Sequence, residues 1–301
     1  MSIIICGDPH FGFRNNIEKF VSYQSQSFYT MIDYAFENKI KDIILLGDIF
    51  DNRRSIYLPI LNDVLIKFKY ALDKGINITM IAGNHDVFYK NTNKLNSPKV
   101  IFDRWKEIDT LGKLRIIDID AEEITYEGVS FLLIPWLTSD NSESCIEYIN
   151  KSMSTYCLGH FEINGFTMNG MTQCTEGLDQ KIFSKFKRTL SGHFHTRSKN
   201  RNITYVGSMV QMTWADFDDK RGFWTLDPVT DKFDFISLNH EIFHKVMVND
   251  NTTTNDIKEI SNTIKNSFIQ FYLNRKLLSL EYEILEHVYD FRSTLEKLVR
   301  L

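Results

Sequence analysis

Cysteine, proline, surplus positive charge and long apolar runs are all scarce in this chain. Four cysteines occur among 301 residues, Cys6, Cys145, Cys157 and Cys174, with no C-x-x-C pair. That scatter excludes a disulfide framework and a zinc ribbon, and the four thiols read as reduced core residues. Five prolines and 14 glycines leave no collagen-like or low-complexity character. No stretch approaches the roughly 18 apolar residues of a membrane span, and the opening MSIIICGD is too short for the core of a secretory signal. A cytoplasmic protein without membrane association is the expectation. With 35 basic and 39 acidic side chains the net charge is −4, which gives no footprint for tight, unaided nucleic-acid binding. A phosphate substrate is not thereby excluded, because divalent cations in a pocket would govern the local field.

What is present is an ordinary globular composition, 43% hydrophobic and 25% charged. Length and pattern point to one large domain, residues 1–238, with a small appendage at 239–301. Short aliphatic runs end abruptly in Gly, Asp, Asn or His: Ser2 to Cys6, Asp42 to Leu46 and Ile78 to Ala82, each read as a buried strand. Further strands are expected at Leu114 to Ile119, Val129 to Ile134, Thr155 to Leu158, Thr189-Leu190, Ile203 to Val206, Gly222 to Leu226 and Phe233 to Leu238. Helical spacing marks Ile17 to Glu37 and Leu58 to Asp73, the second stopped by Gly75. The fold class is therefore α/β with a strand-rich second half. Beyond Leu238, helices are expected over Asp256 to Phe268 and Leu280 to Val299; in the last, Ile284, Val288, Phe291, Leu295 and Leu298 form a coiled-coil-like seam.

The chemistry lies where those runs end. GDPH, GDIFD, GNHD, GH and GHFH each follow an apolar run, and α/β sheets place ligand-binding groups at such strand ends. Singly, an Asp after a strand is usually a turn or a cap. Jointly, five of the eight histidines, His10, His85, His160, His193 and His195, fall at these positions beside three Gly-Asp or Gly-Asn pairs. Asp8 and His10 flank one residue, as do His193 and His195, and residues two apart in extended backbone point to one side, so each pair is placed to grip one centre. Carboxylate with imidazole suits manganese, iron or zinc, and the lack of cysteine argues against a closed structural zinc.

In that order, the five motifs resemble the calcineurin-like metallophosphoesterase superfamily over roughly Ile3 to Leu226. GNHD and GDIFDNRR, with the stretch from GHFEINGF to SGHFHT, are similar to its DNA double-strand-break repair nuclease branch, which includes the bacterial SbcCD nuclease subunit and the phage recombination endonuclease subunit. The resemblance implies a four-layer sandwich, two central mixed sheets flanked by helices, with a small C-terminal α-containing appendage. It implies two divalent metal ions, manganese first among the candidates: Asp8, His10, Asp48 and His195 would hold one, and Asp48, Asn84, His160 and His193 the other, with Asp48 bridging. His85 would be the general acid, oriented by Asp51, where many of these nucleases carry a second histidine. Asp86 reads as a structural brace.

The function implied is DNA phosphodiester hydrolysis by metal-activated water, as the nuclease subunit of a recombination or repair complex with an SMC-like ATPase, in the host cytoplasm if the source is viral. A homodimer through Ile56 to Tyr70 and Ser97 to Trp105 is implied, and the seam near Ile284 to Leu298 is a candidate ATPase-docking element. Arg14, Arg53, Arg54, Lys90 and Arg197 are candidate DNA phosphate contacts, set against the alternative of solvated loop charges. Trp105, Trp136, Trp214 and Trp224 read as packing groups before base-stacking ones. Two other readings stand beside the nuclease: a small-molecule phosphodiesterase or protein phosphatase on the same metal core, and a metal-free scaffold, which the filled ligand positions disfavour.

Overall fold

The computed structural model describes residues 1–107, 110–168, 172–263 and 267–288. Two compact units form: Met1–Met212 with Arg221–Leu238, and Thr213–Lys220 with the described residues from Asn239 onward. In chain order the strands are β1 (Ile3–Cys6), β2 (Asp42–Leu45), β3 (Asn77–Ile81), β4 (Val87–Tyr89), β5 (Thr92–Asn96), β6 (Leu114–Ile117), β7 (Glu122–Tyr126) and β8 (Val129–Ile134). They continue as β9 (Tyr156–His160), β10 (Arg188–Gly192), β11 (Ser198–Asn200), β12 (Ile203–Tyr205), β13 (Gly222–Asp227), β14 (Lys232–Ser237), β15 (Phe243–Val248) and β16 (Phe268–Leu273). The helices are α1 (Glu18–Glu37), α2 (Leu58–Asp73), α3 (Ser97–Phe102), α4 (Ser142–Lys151), α5 (Thr254–Thr263) and α6 (Ser279–Val288).

The larger unit is built on two six-stranded sheets, ordered β14-β13-β1-β2-β3-β6 and β11-β12-β10-β9-β8-β7. In the first, β1, β2, β3 and β6 are parallel, and β13 runs antiparallel to both β1 and β14. In the second, β8, β9, β10 and β12 are parallel, with antiparallel β7 and β11 at the edges. Parallel strands covered on both faces have no solvent side, which is why β1 is an unbroken apolar run whose four residues are all buried. Its alternate residues serve two layers. Ile3 and Ile5, with Ile44, Leu46 and Ile81, meet Phe131, Leu133, Leu158 and Leu190 of the second sheet in one core, each such burial contributing about 1.5–3 kcal/mol.

Helices close the outer faces. On α1 the buried residues Phe20, Tyr23, Gln24, Ser27, Phe28, Met31, Ile32 and Ala35 follow the three-and-four spacing of one helical face. Phe28 stacks on Phe68 of α2, and Tyr34 meets Phe223 of β13 edge-on. On the far side, Cys145 and Ile149 of α4 pack with Leu132, Ile134 and Cys157. The order helix, sheet, sheet, helix is the four-layer sandwich expected, and the four cysteines are free and buried. No helix among the described residues is long and apolar enough to cross a membrane.

The smaller unit differs from the all-helical pattern read at 256–268. There α5 stops at Thr263, and Phe268 opens β16, which pairs in parallel with β15 from Phe243↔Phe268 to Val248↔Leu273. Ile269 and Phe271, two apart, are both buried with Val246, Val248, Ile257 and Leu285, the period of a strand with one covered face. Trp214, from the inserted Thr213–Lys220, lies 4.9 Å from Phe243. Arg275 grips buried Glu281 with two 2.8 Å bonds. Ile284 packs against this core; Phe291, Leu295 and Leu298 of the expected seam lie outside the described residues.

Candidate metal centre

Five strands of the larger unit end at one place. Asp8 follows β1, Asp48 follows β2, Asn84 and His85 follow β3, His160 closes β9, and His193 and His195 follow β10. An isolated parallel bridge, Gly7 to Ser208, ties the two sheets at this edge. The backbone there is not extended: φ is 43° at Asp8, 46° at His10, 52° at Asp48 and 84° at His193. Left-handed non-glycine residues cost of order 1–3 kcal/mol each and persist where surroundings over-determine them, a pattern typical of functional sites. Two glycines make the approach possible. A Cβ on Gly83 would strike the Asp48 backbone nitrogen and Oδ1, and one on Gly47 would strike the His160 ring.

The expected ligands form two groups, and His10, Asp51 and His85 form a third. Asp8, His10 and His195 each offer a ligand atom within 4.8 Å of the others, as do Asp48, His160 and His193. His10 Nε2 and His195 Nε2 face each other at 3.1 Å. Asn84 Oδ1 lies 2.9 Å from both His160 Nε2 and His193 Nδ1. Asp48 Oδ2 stands 3.4 Å from His10 Nε2 and 3.4 Å from His160 Nε2, so one carboxylate oxygen reaches both groups. The His193/His195 pair is therefore divided between the two groups rather than gripping one centre, because His193 turns through the left-handed region. His160 Nδ1 donates to the Leu46 carbonyl at 2.7 Å, which leaves Nε2 as the ligand nitrogen when the ring is neutral.

Burial sets the titration of these groups. It pushes the Asp8 carboxyl up, to about 6, against the pull of His160. It also opposes ionisation of Asp48, but His160, His10 and His85 outweigh it and hold that carboxyl far below its ordinary range. His160 is depressed by burial yet raised more by Asp48 and Asp8, to about 9; His10 is raised in the same way by Asp51, Asp48 and Asp8. Burial and the charge on His160 push His193 down to about 3, and burial with His10 holds His195 well below its usual value. Asp8 Oδ2 is buried without a hydrogen-bond partner among the described residues. An orphaned carboxylate oxygen and imidazole nitrogens turned on one another fit bound divalent cations, which would supply the missing partner.

His85 stands beside the first group, its ring 4.8 Å from that of His10, and its backbone nitrogen donates to Asp48 Oδ1 at 2.7 Å. Its Nδ1 donates to the Asp51 main-chain carbonyl at 2.5 Å. The expected carboxylate contact is thus made by the peptide, and the Asp51 Oδ1 lies instead 3.4 Å from His10 Nδ1. Asp86 is the brace expected. Its carboxylate accepts from Ile49 N and Gly83 N, both at 2.9 Å, and so locks the second and third motif loops together. Burial and nearby Asp48 push it up to about 7.

Two supporting residues were not found by motif reading. Gln24 of α1 donates to the Pro9 carbonyl at 2.8 Å and the His10 carbonyl at 2.6 Å; Ser27 shares its buried face, so a polar residue there was no distinct signal. Arg221 donates to the His195 carbonyl and, at 3.0 Å, to Ser208 Oγ; nothing local in the sequence marks it. Trp136 lies 5.1 Å from the His193 ring, while Trp224 stacks on Phe233 in the core. Of the candidate DNA contacts, Arg14 donates to the Met212 carbonyl and Arg197 covers the Phe235 ring, whereas Arg54 and Lys90 are exposed and Arg53 is half-buried.

Residues 1–197 match the family described as calcineurin-like phosphoesterase. The chain belongs to that family. All the donors just described fall within the matched calcineurin-like phosphoesterase segment. The chain is 32% identical over 240 residues to exonuclease subunit 1 of Enterobacteria phage T4, covering 79% of this chain and 68% of that protein. It is 22% identical over 273 residues to a subunit of nuclease SbcCD from Staphylococcus saprophyticus, covering 77% of this chain and 68% of that protein. Family membership implies divalent metal ions, and the two donor groups are where this phosphoesterase would hold them.

Proposed function

We propose that this phosphoesterase is a DNA nuclease, the nuclease subunit of a recombination or double-strand-break repair complex that works with an SMC-like ATPase. The observation that carries the reading is the similarity to two nuclease subunits, one from a phage and one from a bacterium. Asp8, His10, Asp48 and His195 would hold one divalent ion, and Asp48, Asn84, His160 and His193 a second. Manganese suits this mixed oxygen and imidazole set. Such ions supply Lewis acidity and lower the pKa of water enough for attack on phosphorus at neutral pH.

The chain's own groups do the rest. His85 is fixed through Nδ1 by the Asp51 carbonyl, which leaves Nε2 to pass a proton to the departing oxygen. Asp51 acts through its main chain on His85 and through its carboxylate on His10. Exposed Arg54 and Lys90, with Arg53, would meet DNA backbone phosphates; Arg14 and Arg197, the other two candidates, are engaged with protein groups. A homodimer is supported by apolar side chains left uncovered on α2 and α3, Ile66 at 52% exposure and Val100 at 68%. Its proposed place of action is DNA in the cytoplasm.

The test compares linear DNA, a cyclic nucleotide and a phosphopeptide in manganese. Cleavage of DNA above the other two is expected. Hydrolysis of either small substrate with inert DNA would remove the nuclease reading.

A further inference from the structure

The loops that carry the first donor group are joined through their main chains. Met209 N donates to the Gly7 carbonyl at 3.0 Å, and Ser208 N donates to the His195 carbonyl at 3.0 Å. Two consecutive residues thus link the loop that carries Asp8 to the loop that carries His195. Arg221 closes this joint, since its Nη1 donates to the His195 carbonyl and, at 3.0 Å, to Ser208 Oγ. The residue is only 4% exposed, and a guanidinium is costly to bury unless its donors meet acceptors. Ser208 is buried as well, and its own hydroxyl donates to the Val210 carbonyl at 2.8 Å. Arg221 is also the residue at which the chain returns to the larger unit after Thr213–Lys220.

The geometry points to Arg221 as a positioning residue for the first metal ion: by holding the His195 carbonyl it aims the His195 ring at the cation that Asp8 and His10 would share. The inference rests on the assignment of the donors to two ions and is independent of what this phosphoesterase hydrolyses. A histidine ring turns on its own main chain, so a fixed carbonyl limits the swing of Nε2. That nitrogen stands 3.1 Å from His10 Nε2, and a cation held by both rings needs both kept in place. Charge is not the reason for an arginine here, because a fixed positive group beside a cation repels it. The two accounts therefore differ in sign: losing a repulsive charge would tighten cation binding, whereas losing a positioning bond weakens it. The second group has fastenings of its own, with His160 Nδ1 on the Leu46 carbonyl and Asn84 Oδ1 between His160 and His193. Arg221 should accordingly act on one ion and not on both.

The experiment titrates manganese into the metal-free whole chain by calorimetry, so that it reads binding and not turnover. Wild type should show two events. Arg221→Met, which keeps a buried stem and has no donor, should weaken one event about 10–100-fold and leave the other unchanged, the scale of a lost outer support. In a His193→Ala background, where the Asp8 group holds the remaining ion, the same substitution should weaken that remaining event. Ser208→Ala, which removes the other acceptor of Arg221, should leave both events as in wild type. The inference is overturned if Arg221→Met tightens binding, leaves both events unchanged or weakens both alike, or if Ser208→Ala reproduces its effect. Should Arg221→Met fail to fold, Arg221→Gln, polar but too short to reach the same acceptors, faces the same criteria. Wild type that takes up fewer than two manganese ions would overturn the donor assignment, and this inference with it.

Discussion

The two donor groups contain the same side-chain types but differ in readiness for a cation. Asp48 is kept ionised by three imidazoles and lies 3.4 Å from a histidine of each group. Asp8, enclosed and lacking a partner on Oδ2, ionises only above about pH 6. Each group also pairs a histidine whose pKa is raised, His160 or His10, with one whose pKa is lowered, His193 or His195. One carboxylate therefore organises both groups, and the lesson is that they should not fail symmetrically when their members are removed.

The largest expected effect comes from Asp48→Asn, which should empty both groups and abolish hydrolysis; metal analysis of the purified variant against wild type measures it. Retention of one ion per chain would show that the groups are independent. His85→Asn should lower turnover about 10²–10⁴-fold, the usual range for loss of a general acid, with metal content unchanged. A combined fall in metal and rate would instead make His85 part of the ligand shell. His193→Ala should remove one ion and leave the Asp8 group loaded, so titration calorimetry should show one binding event in place of two.

Smaller effects sharpen the contrast further. Gln24→Ala releases the loop that carries His10, and loss of such outer support should weaken binding at the Asp8 group about 10–100-fold while sparing the Asp48 group. The smallest effect is a pH dependence. The folded pKa of His160, about 9, exceeds the ordinary 6.5, so its stabilisation is complete below about pH 6.5 and is lost as pH rises through about 9. Metal-free protein should melt at lower temperature near pH 9 than near pH 6.5. Cation affinity should move the opposite way, rising as the competing proton leaves. A melting temperature that climbs over this interval would contradict the assigned charge on His160.

Much of this was legible from local pattern. The β1, β2 and β3 runs ended within about a residue of their expected limits, and every proposed ligand lies at the strand ends where it was sought. Short edge strands such as β7 and β11 were missed, because an exposed or half-covered strand lacks the continuous apolar signal of a central one. β16 was absorbed into a neighbouring helix for a similar reason. Gln24 and Arg221 were invisible as site residues, since what they support is another segment's backbone far away in the chain. Asp51 was found, but the atom through which it holds His85 was not, because a side chain and its own carbonyl occupy one position in the sequence.

By itself the order of residues determined the sheets' buried strands, the donors and the phosphoesterase family, since apolar periodicity and a metal-binding vocabulary are both local properties. Tertiary structure alone decided that Asp51 holds His85 through its main chain, that Asp86 joins the second and third motif loops, and that a cavity opens beside Asp51. Those facts depend on loop conformation and on two sheets packing face to face, and such distances are set only when remote parts of the chain pack together.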